Sequence, residues 1–103
     1  MKTSELSGVQ LDWAVFEVEY GTQTYEFTYA YKPSADWAQG GLIIEREGIQ
    51  IQKHESGWVA LPADAQFSEE EYQEGSNPLI AAMRCYVASK LGDEIDLPIS
   101  FVL

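Results

Sequence analysis

Two short stretches of this sequence carry side chains that suit the binding of an anionic ligand with a flat ring. They are PSADW at residues 33–37 and NPL at residues 77–79. Each combines a proline with a small polar residue, a pattern typical of helix N-termini, where free backbone N–H groups bind anions such as phosphate. The pattern also suits ordinary helix caps, and spacing alone favours that simpler interpretation.

Three types of side chain in these stretches or close to them can bind parts of a nucleotide: an indole, a guanidinium and a carboxylate. An indole can stack on a base or nicotinamide ring, and a guanidinium can pair with a phosphate. A carboxylate can accept hydrogen bonds from ribose hydroxyls or an exocyclic amine. We therefore predict a binding site for a small nucleotide-like ligand. The candidate ligand-binding residues are Ser34, Asp36, Trp37, Gly40, Gly41, Asn77 and Arg84.

Gly40 and Gly41 stand side by side in a stretch where a helix is expected. Each glycine costs about 1 kcal/mol relative to alanine in a helix interior. Something must therefore approach this backbone closely enough to need the missing side chains, either another element of the chain or a flat ligand. A helix over residues 35–47 places Gly41 one turn after Trp37, which leaves a shallow groove beside the indole.

Catalytic and metal-binding motifs are absent from the sequence. It has one histidine, His54, and one cysteine, Cys85, and it contains no CxxC, HExxH, phosphate-binding loop, dinucleotide-binding fingerprint or GxSxG elbow. No titratable side chain stands out as a general acid, base or nucleophile. We therefore predict that the protein is not an enzyme, that it has no metal or cofactor, and that Cys85 is a packed thiol.

The chain is strongly acidic, with 17 Asp and Glu against six Lys and Arg and a formal net charge of -11. This charge repels nucleic-acid phosphates and anionic membrane surfaces, so we expect neither as a partner. It favours solubility, and it also suits docking on a basic protein. The length predicts a single domain, 1–103, and the absence of a long apolar run or a signal peptide favours a cytoplasmic location.

The spacing of apolar residues predicts three helices. In residues 4–20 large apolar side chains recur every three or four positions and a glycine follows; a strand over residues 15–20 is the weaker alternative. Residues 35–47 are expected to form a helix that Ser34 caps at its start and Gly48 ends. Residues 77–92 begin with a cap and a proline and close with glycine, which predicts the third helix.

Alternating side chains predict the strands. Over residues 25–31 four aromatic residues alternate with other residues, which places four rings on one face of a strand. Residues 49–55 and 58–62 predict a β-hairpin around a Ser56-Gly57 turn.

The rest of the chain is less regular. Residues 63–76 are polar and include the acidic run 69–71, so we expect an exposed loop there. The C-terminal residues 93–103 suit an edge strand or an arm that packs on a second copy of the chain. The elements together predict an α+β fold, a small antiparallel sheet of three to four strands packed with about three helices.

Three blocks of the sequence resemble the NinX-like family, small proteins of unknown function from lambdoid phages and prophages. The similarity follows most of the chain in order and departs from the family pattern at Leu42, where proline is expected, at Asn77, where threonine is usual, and over residues 55–75. A fainter similarity to phage α-β-α sandwich proteins implies helices that flank a small antiparallel sheet. The blocks are LDWAV at 11–15, PSADWAQGGLIIEREGI at 33–49 and NPLIAAMRCYVASKLGDEI at 77–95.

The resemblance implies a non-catalytic phage accessory protein that acts in the cytoplasm of the infected bacterial host and counters host defence. In a first hypothesis it sequesters a nucleotide-derived immune signal near Trp37, the two glycines and the start of the third helix, with a second copy completing the site. In a second, its acidic surface imitates nucleic acid and blocks a basic host protein. The first is favoured because the recognisable blocks contain its residues, whereas the acidic run lies where the chain departs from the family.

Overall fold

The computed structural model describes residues 1–21, 27–66 and 72–98. Within these ranges three α-helices and a three-stranded antiparallel sheet form an α+β fold, which confirms the predicted fold class. None of the described helices is long and apolar enough to cross a membrane. The elements, in chain order, are a short 3₁₀ turn at Thr3–Glu5, α1 at Gly8–Tyr20, α2 at Trp37–Glu47, β1 at Gln50–His54, β2 at Gly57–Leu61, β3 at Gln73–Gly75 and α3 at Pro78–Leu91.

Helix α3 forms the centre of the core, because α1, α2 and the sheet all pack against it. Its buried residues are not confined to one stripe: Ala82 and Cys85 are buried along with the larger side chains, whereas Leu91 at its end is 46% exposed. Each large apolar side chain buried here contributes roughly 1.5–3 kcal/mol to folding. The buried residues of α3 are Leu79, Ala81, Ala82, Met83, Cys85, Tyr86 and Val87.

The helix ends follow local signals in the sequence. Asn77 Oδ1 accepts a hydrogen bond from the Ile80 N–H at 2.9 Å, and Pro78 fills the first position of α3, as predicted. At α2 the predicted cap is wrong, since Asp36, not Ser34, takes this role and accepts from the Ala38 N–H at 2.9 Å. A left-handed glycine then ends α2 after Glu47, with φ of 68°.

The β-hairpin is confirmed, with its turn one residue earlier than predicted. His54 pairs with Gly57, so the loop consists of Glu55 and Ser56, and Glu55 adopts a positive φ of 51°. The sheet order is β1-β2-β3, with both pairs antiparallel. The expected exposed loop over residues 63–76 is wrong in part, because residues 73–75 form strand β3. Residues 67–71 of that segment lie outside the described part of the chain.

The predicted aromatic strand is wrong over residues 27–31, whereas Tyr25 lies outside the described residues. The chain turns at residues 29–30 instead, and its rings pack on α1: Phe16 lies 5.5 Å from Phe27 and 5.3 Å from Tyr31, measured between ring centroids. The Phe27 and Tyr31 ring centroids lie 6.4 Å apart. Residues four positions apart in an extended strand are about 13 Å apart, so this segment is not a strand.

Side-chain hydrogen bonds replace a strand ladder in this segment. The Gln39 amide on α2 donates to the Ala30 carbonyl at 3.0 Å and accepts from the Lys32 N–H at 2.9 Å. Because these backbone groups already have partners, the segment needs no neighbouring strand.

The two ends of the described chain lie together. The Thr3 N–H donates to the Asp93 carbonyl at 2.8 Å, and Lys2 and Glu94 form an isolated antiparallel bridge. Residues 93–95 therefore pair with the chain's own first residues, and residues 99–103 of the predicted edge strand or arm lie outside the described part.

Candidate functional site

The chain's own packing explains one glycine of the Gly40-Gly41 pair. A Cβ atom on Gly40 would lie 2.2 Å from the Pro33 carbonyl oxygen and 2.7 Å from Leu79 Cδ2. Gly40 thus allows α2 to lie against the turn that precedes it and against the first turn of α3. On this side another element, not a ligand, approaches the backbone.

Gly41 has a different environment. A Cβ atom there would meet only Trp37 Cε3, at 3.7 Å, which is an ordinary van der Waals contact. The Trp37 side chain beside it is 54% exposed, and Leu42 is 68% exposed. The face of α2 that carries Trp37 and Gly41 is therefore exposed, and no other element covers it in the described part of the chain; we call it the Trp37 face.

Ser34 lies beneath this helix start instead of at its surface. It is 5% exposed, and its N–H donates to Asp12 Oδ1 on α1 at 2.9 Å. Burial raises the pKa of the Asp12 carboxyl, although the hydrogen bonds from Ser34 oppose this shift. The bond anchors the segment before α2 to α1, so Ser34 positions Trp37 from below.

The two capping residues serve their own helices. Asp36 accepts from the Ala38 N–H and also, through Oδ2, from Gln39 Nε2 at 3.1 Å. Asn77 holds the first turn of α3, against which Gly40 packs through Leu79. The structure thus brings these two helix starts close together, and their contact with a ligand stays a prediction.

Arg84 contacts other parts of the chain than the Trp37 face. Its Nε donates to the Leu6 carbonyl at 2.8 Å and its Nη1 donates to the Glu74 carbonyl at 2.7 Å, so the side chain joins the residues before α1 to β3. It lines a cleft of about 380 Å³ between the hairpin turn, β3 and α3. The cleft is lined by His54, Glu55, Ser56, Gly57, Trp58, Glu74, Gly75, Ser76 and Arg84.

Trp37 is not among the residues that line this cleft, which we call the Arg84 cleft. Trp58 lines this cleft together with Arg84, and the register that pairs Lys53 with Trp58 places the Lys53 Nζ 5.4 Å from the centroid of the Trp58 ring. The predicted hairpin, with its turn at Ser56-Gly57, would have opposed Glu55 to Trp58, so the pairing of Lys53 with Trp58 follows from the observed position of the turn. The position of Trp58 in the same cleft as Arg84, however, depends on how the sheet packs against α3.

A network of charges joins the three helices on another side. Arg46 binds Glu19 through two bonds, from Nη1 at 3.0 Å and Nη2 at 2.8 Å, and it also contacts Glu47 at 2.9 Å. Burial alone raises the pKa of the Glu19 carboxyl, but the bonds from Arg46 and Tyr86 bring it below its usual value. Two of the chain's few cations, Arg46 and Lys90, are therefore neutralised within the fold.

Cys85 has the environment of a packed thiol. It is 3% exposed, and burial raises the pKa of its thiol to about 11. Among the described residues no group of three or more His, Cys, Asp or Glu side chains is placed to hold a metal ion.

Comparison with protein families connects this geometry to a phage lineage. The family model described as Bacteriophage P22, NinX matches residues 16–90 of the chain. The chain belongs to this family. The matched range contains the Trp37 face and every residue that lines the Arg84 cleft, so both surfaces lie in the part of the chain that resembles other NinX proteins. A search of the curated proteins finds no match to this chain.

Proposed function

We propose that this NinX-family chain is a non-catalytic phage accessory protein that counters host defence by sequestering a nucleotide-derived immune signal in the host cytoplasm. The observation that supports this proposal best is the exposed Trp37 indole beside the bare backbone of Gly41. Tryptophan is highly buried on average, and an exposed indole is a common anchor in binding surfaces.

The Trp37 face fits a flat aromatic ring. Stacking of a nucleobase on an aromatic side chain contributes roughly 1–3 kcal/mol, whichever base is stacked. Gly41 adds no side chain that would cover the indole. Asp36, the residue before Trp37, carries a carboxylate that can accept hydrogen bonds from ribose hydroxyls. A second copy of the chain completes the site in this proposal, because one open helix face encloses only one side of a ligand.

Thermal denaturation of the purified protein tests this function. The panel contains cyclic dinucleotides, cyclic mononucleotides, ADP-ribose derivatives and NAD. A bound ligand at a hundredfold excess over its Kd stabilises a fold by about 2.7 kcal/mol, which raises the Tm of a domain of this size by several degrees. We expect Trp37→Ala to lose this shift. The matched control is Tyr29→Ala, since Tyr29 is an aromatic residue that is 75% exposed outside the Trp37 face.

Either of two outcomes contradicts sequestration at this face. One is a panel without any thermal shift for the unmodified protein. The other is a ligand-induced shift that persists in Trp37→Ala. Sedimentation velocity with the ligand present then tests the second copy, because a chain that stays monomeric when saturated does not share its site.

A second candidate function is the blocking of a basic host protein by the acidic surface. The observation that favours it is that basic side chains bind groups of the chain itself: Arg46 and Lys90 pair with carboxylates, and Arg84 binds backbone carbonyls. The carboxylates on the surface are left with few cations to neutralise them. The exposed acidic residues of the described ranges are Glu5, Glu45, Glu55, Asp64, Glu74, Asp93, Glu94 and Asp96.

Charge reversal distinguishes this candidate from sequestration. The triple change of Glu69, Glu70 and Glu71 to lysine should abolish capture of a basic host protein from an infected-cell lysate and leave any ligand-induced thermal shift intact. Trp37→Ala should have the opposite effects. Capture that survives the triple change, or that does not weaken when the salt concentration is raised, contradicts blocking by the acidic run.

A further inference from the structure

The Arg84 guanidinium is a half-buried cation with no carboxylate partner among the described residues. Its two hydrogen bonds go to the neutral carbonyls of Leu6 and Glu74, and burial lowers its pKa. Arg46 offers a direct contrast, because bonds to Glu19 raise its pKa. A partly buried charge without a counter-ion is electrostatically costly, and an anion placed beside it removes that cost.

The same bonds prepare Arg84 for a ligand. A guanidinium has five N–H donors in a fixed plane, and Arg84 uses Nε and one hydrogen of Nη1 on the two carbonyls. The remaining N–H groups have no partner in the described part of the chain. Because the side chain is already held in place, an oxyanion that binds it does so with little further loss of conformational entropy.

Other groups at the cleft are also suited to an oxyanion. The only histidine of the sequence, His54, lines the cleft, as do the hydroxyl-bearing residues Ser56 and Ser76. Lys53 lies over the ring of Trp58, which forms part of the wall. Of the six Lys and Arg of the chain, Arg84 thus lines the cleft and Lys53 contacts its Trp58 wall.

We infer that the Arg84 cleft binds a tetrahedral oxyanion, either free phosphate or the phosphomonoester end of a larger molecule. Its volume of about 380 Å³ lies within the range of small-ligand sites, roughly 300–1,000 Å³. Trp37 does not line this cleft, so the inference does not depend on the sequestration proposed above.

Two carboxylates at the cleft repel an anion, so their removal should change the affinity in the opposite direction from the removal of a cation. Glu55 and Glu74 line the cleft, and both residues are exposed. Water and salt therefore screen their repulsion more strongly than they screen the attraction of the half-buried Arg84. Removal of the Glu55 charge should tighten anion binding, whereas removal of a cation should weaken it.

The experiment is a two-dimensional NMR titration at low salt with inorganic phosphate, AMP and adenosine as separate probes. We expect phosphate and AMP to shift the amide signals of His54, Ser56 and Ser76, and adenosine to leave them unchanged. A phosphate that binds as tightly as AMP identifies the free ion as sufficient. Tighter binding of AMP than of phosphate shows that the adenosine part of the phosphomonoester makes additional contacts with the protein.

Substitutions then assign the binding to the cleft. Arg84→Gln should weaken phosphate binding by about tenfold and Lys53→Gln by about threefold, whereas Glu55→Gln should tighten it. Lys32→Gln is the matched control, since Lys32 is an exposed lysine before α2 and should leave the Kd unchanged. Because Arg84 also holds Leu6 and Glu74, circular dichroism checks that its variant folds; if it does not, Lys53→Gln and Glu55→Gln decide the matter.

Phosphate that causes no shifts at the cleft, or that binds Lys53→Gln and Lys32→Gln equally while Glu55→Gln gives no gain, overturns the inference. The outcomes also separate it from the proposed function. Phosphate binding at the cleft together with a nucleotide panel that gives no thermal shift supports the cleft and contradicts sequestration. A nucleotide that binds through Trp37, together with no phosphate binding at the cleft, supports sequestration and contradicts the inference about the cleft.

Discussion

At the scale of single residues, Gly40 shows how a costly helix residue is required by distant parts of the chain. Its neighbour Gly41 has the same intrinsic helix propensity, yet only Gly40 is in contact with a backbone carbonyl and a leucine of another helix. Both glycines looked alike in the sequence, where either a packed element or a ligand was expected. The difference arises from the approach of Pro33 and Leu79, which no local pattern encodes.

Alanine substitutions at the two glycines should therefore have opposite effects. Gly40→Ala gains about 1 kcal/mol of helix propensity but forces its Cβ against the Pro33 carbonyl, so we expect the free energy of unfolding to fall by about 2 kcal/mol. Gly41→Ala makes an ordinary contact and should raise it by up to about 1 kcal/mol. Urea unfolding followed by circular dichroism measures both, and a Gly40→Ala variant as stable as Gly41→Ala contradicts the packing explanation.

The buried Asp12 carboxyl should make stability depend on pH. Burial raises its folded-state pKa above the usual 3.8, so its contribution is fully present below about pH 4 and is lost as the pH rises through the folded value. Asp12→Asn cannot ionise, yet its carbonyl can still accept from the Ser34 N–H. The variant should therefore gain stability relative to the unmodified protein between pH 4 and pH 7. Urea unfolding at both pH values measures this, and a constant difference contradicts it.

At the scale of elements, local signals and side-chain packing disagree in the segment that precedes α2. Alternating aromatic residues favoured a strand over 25–31, but the described part turns and packs its rings around Phe16. Gln39 satisfies the backbone groups that a neighbouring strand would have bound. Alternation of rings predicts a strand only where a second strand is available to pair with it.

The charge network between the helices should stabilise their packing modestly. Arg46 contacts Glu19 through two bonds but is half exposed, so we expect Arg46→Gln to lower the free energy of unfolding by about 1 kcal/mol. The effect should shrink in 1 M NaCl, because salt screens the pair. Lys90→Gln is the control, since its 3.4 Å contact with Glu47 is a single exposed pair and should matter less. Equal losses for the two variants at low salt contradict this assignment.

At the scale of the whole molecule, contacts between the ends of the described chain close the fold. Thr3 is fully buried, and its Oγ1 donates to the Gly92 carbonyl at 2.6 Å while its N–H binds the Asp93 carbonyl. Arg84 adds a second link, from Leu6 to β3. The residues before α1 are thus part of the core structure instead of a free extension.

Thr3→Val tests this closure with little change in volume. The hydroxyl is lost and the Gly92 carbonyl loses its partner, so we expect the free energy of unfolding to fall by roughly 1–2 kcal/mol. Ser4→Ala, at an exposed neighbouring position, should change it by less than about 0.5 kcal/mol. Thermal and urea unfolding of both variants provide the measurement, and equal stabilities contradict a role for the Thr3 contact.

Local sequence patterns were enough to predict the helices, the hairpin and the α+β class, and three sequence blocks were enough to indicate the family. Caps such as Asn77 with Pro78 and the glycine that ends α2 act on backbone groups only a few residues away, so their effect is written locally. The helical spacing also placed Gly41 one turn after Trp37, whereas the exposure of the indole is seen only in the structure.

Three features could not be predicted from local patterns and are seen only in the folded protein: Gly40 packs against Leu79, the Ser34 N–H binds Asp12, and β3 forms within an expected loop. The tertiary structure also placed Arg84 in a cleft that Trp58 lines and Trp37 does not. These outcomes depend on contacts between residues distant in the chain, and their energies arise only when the sheet and the helices have packed around α3.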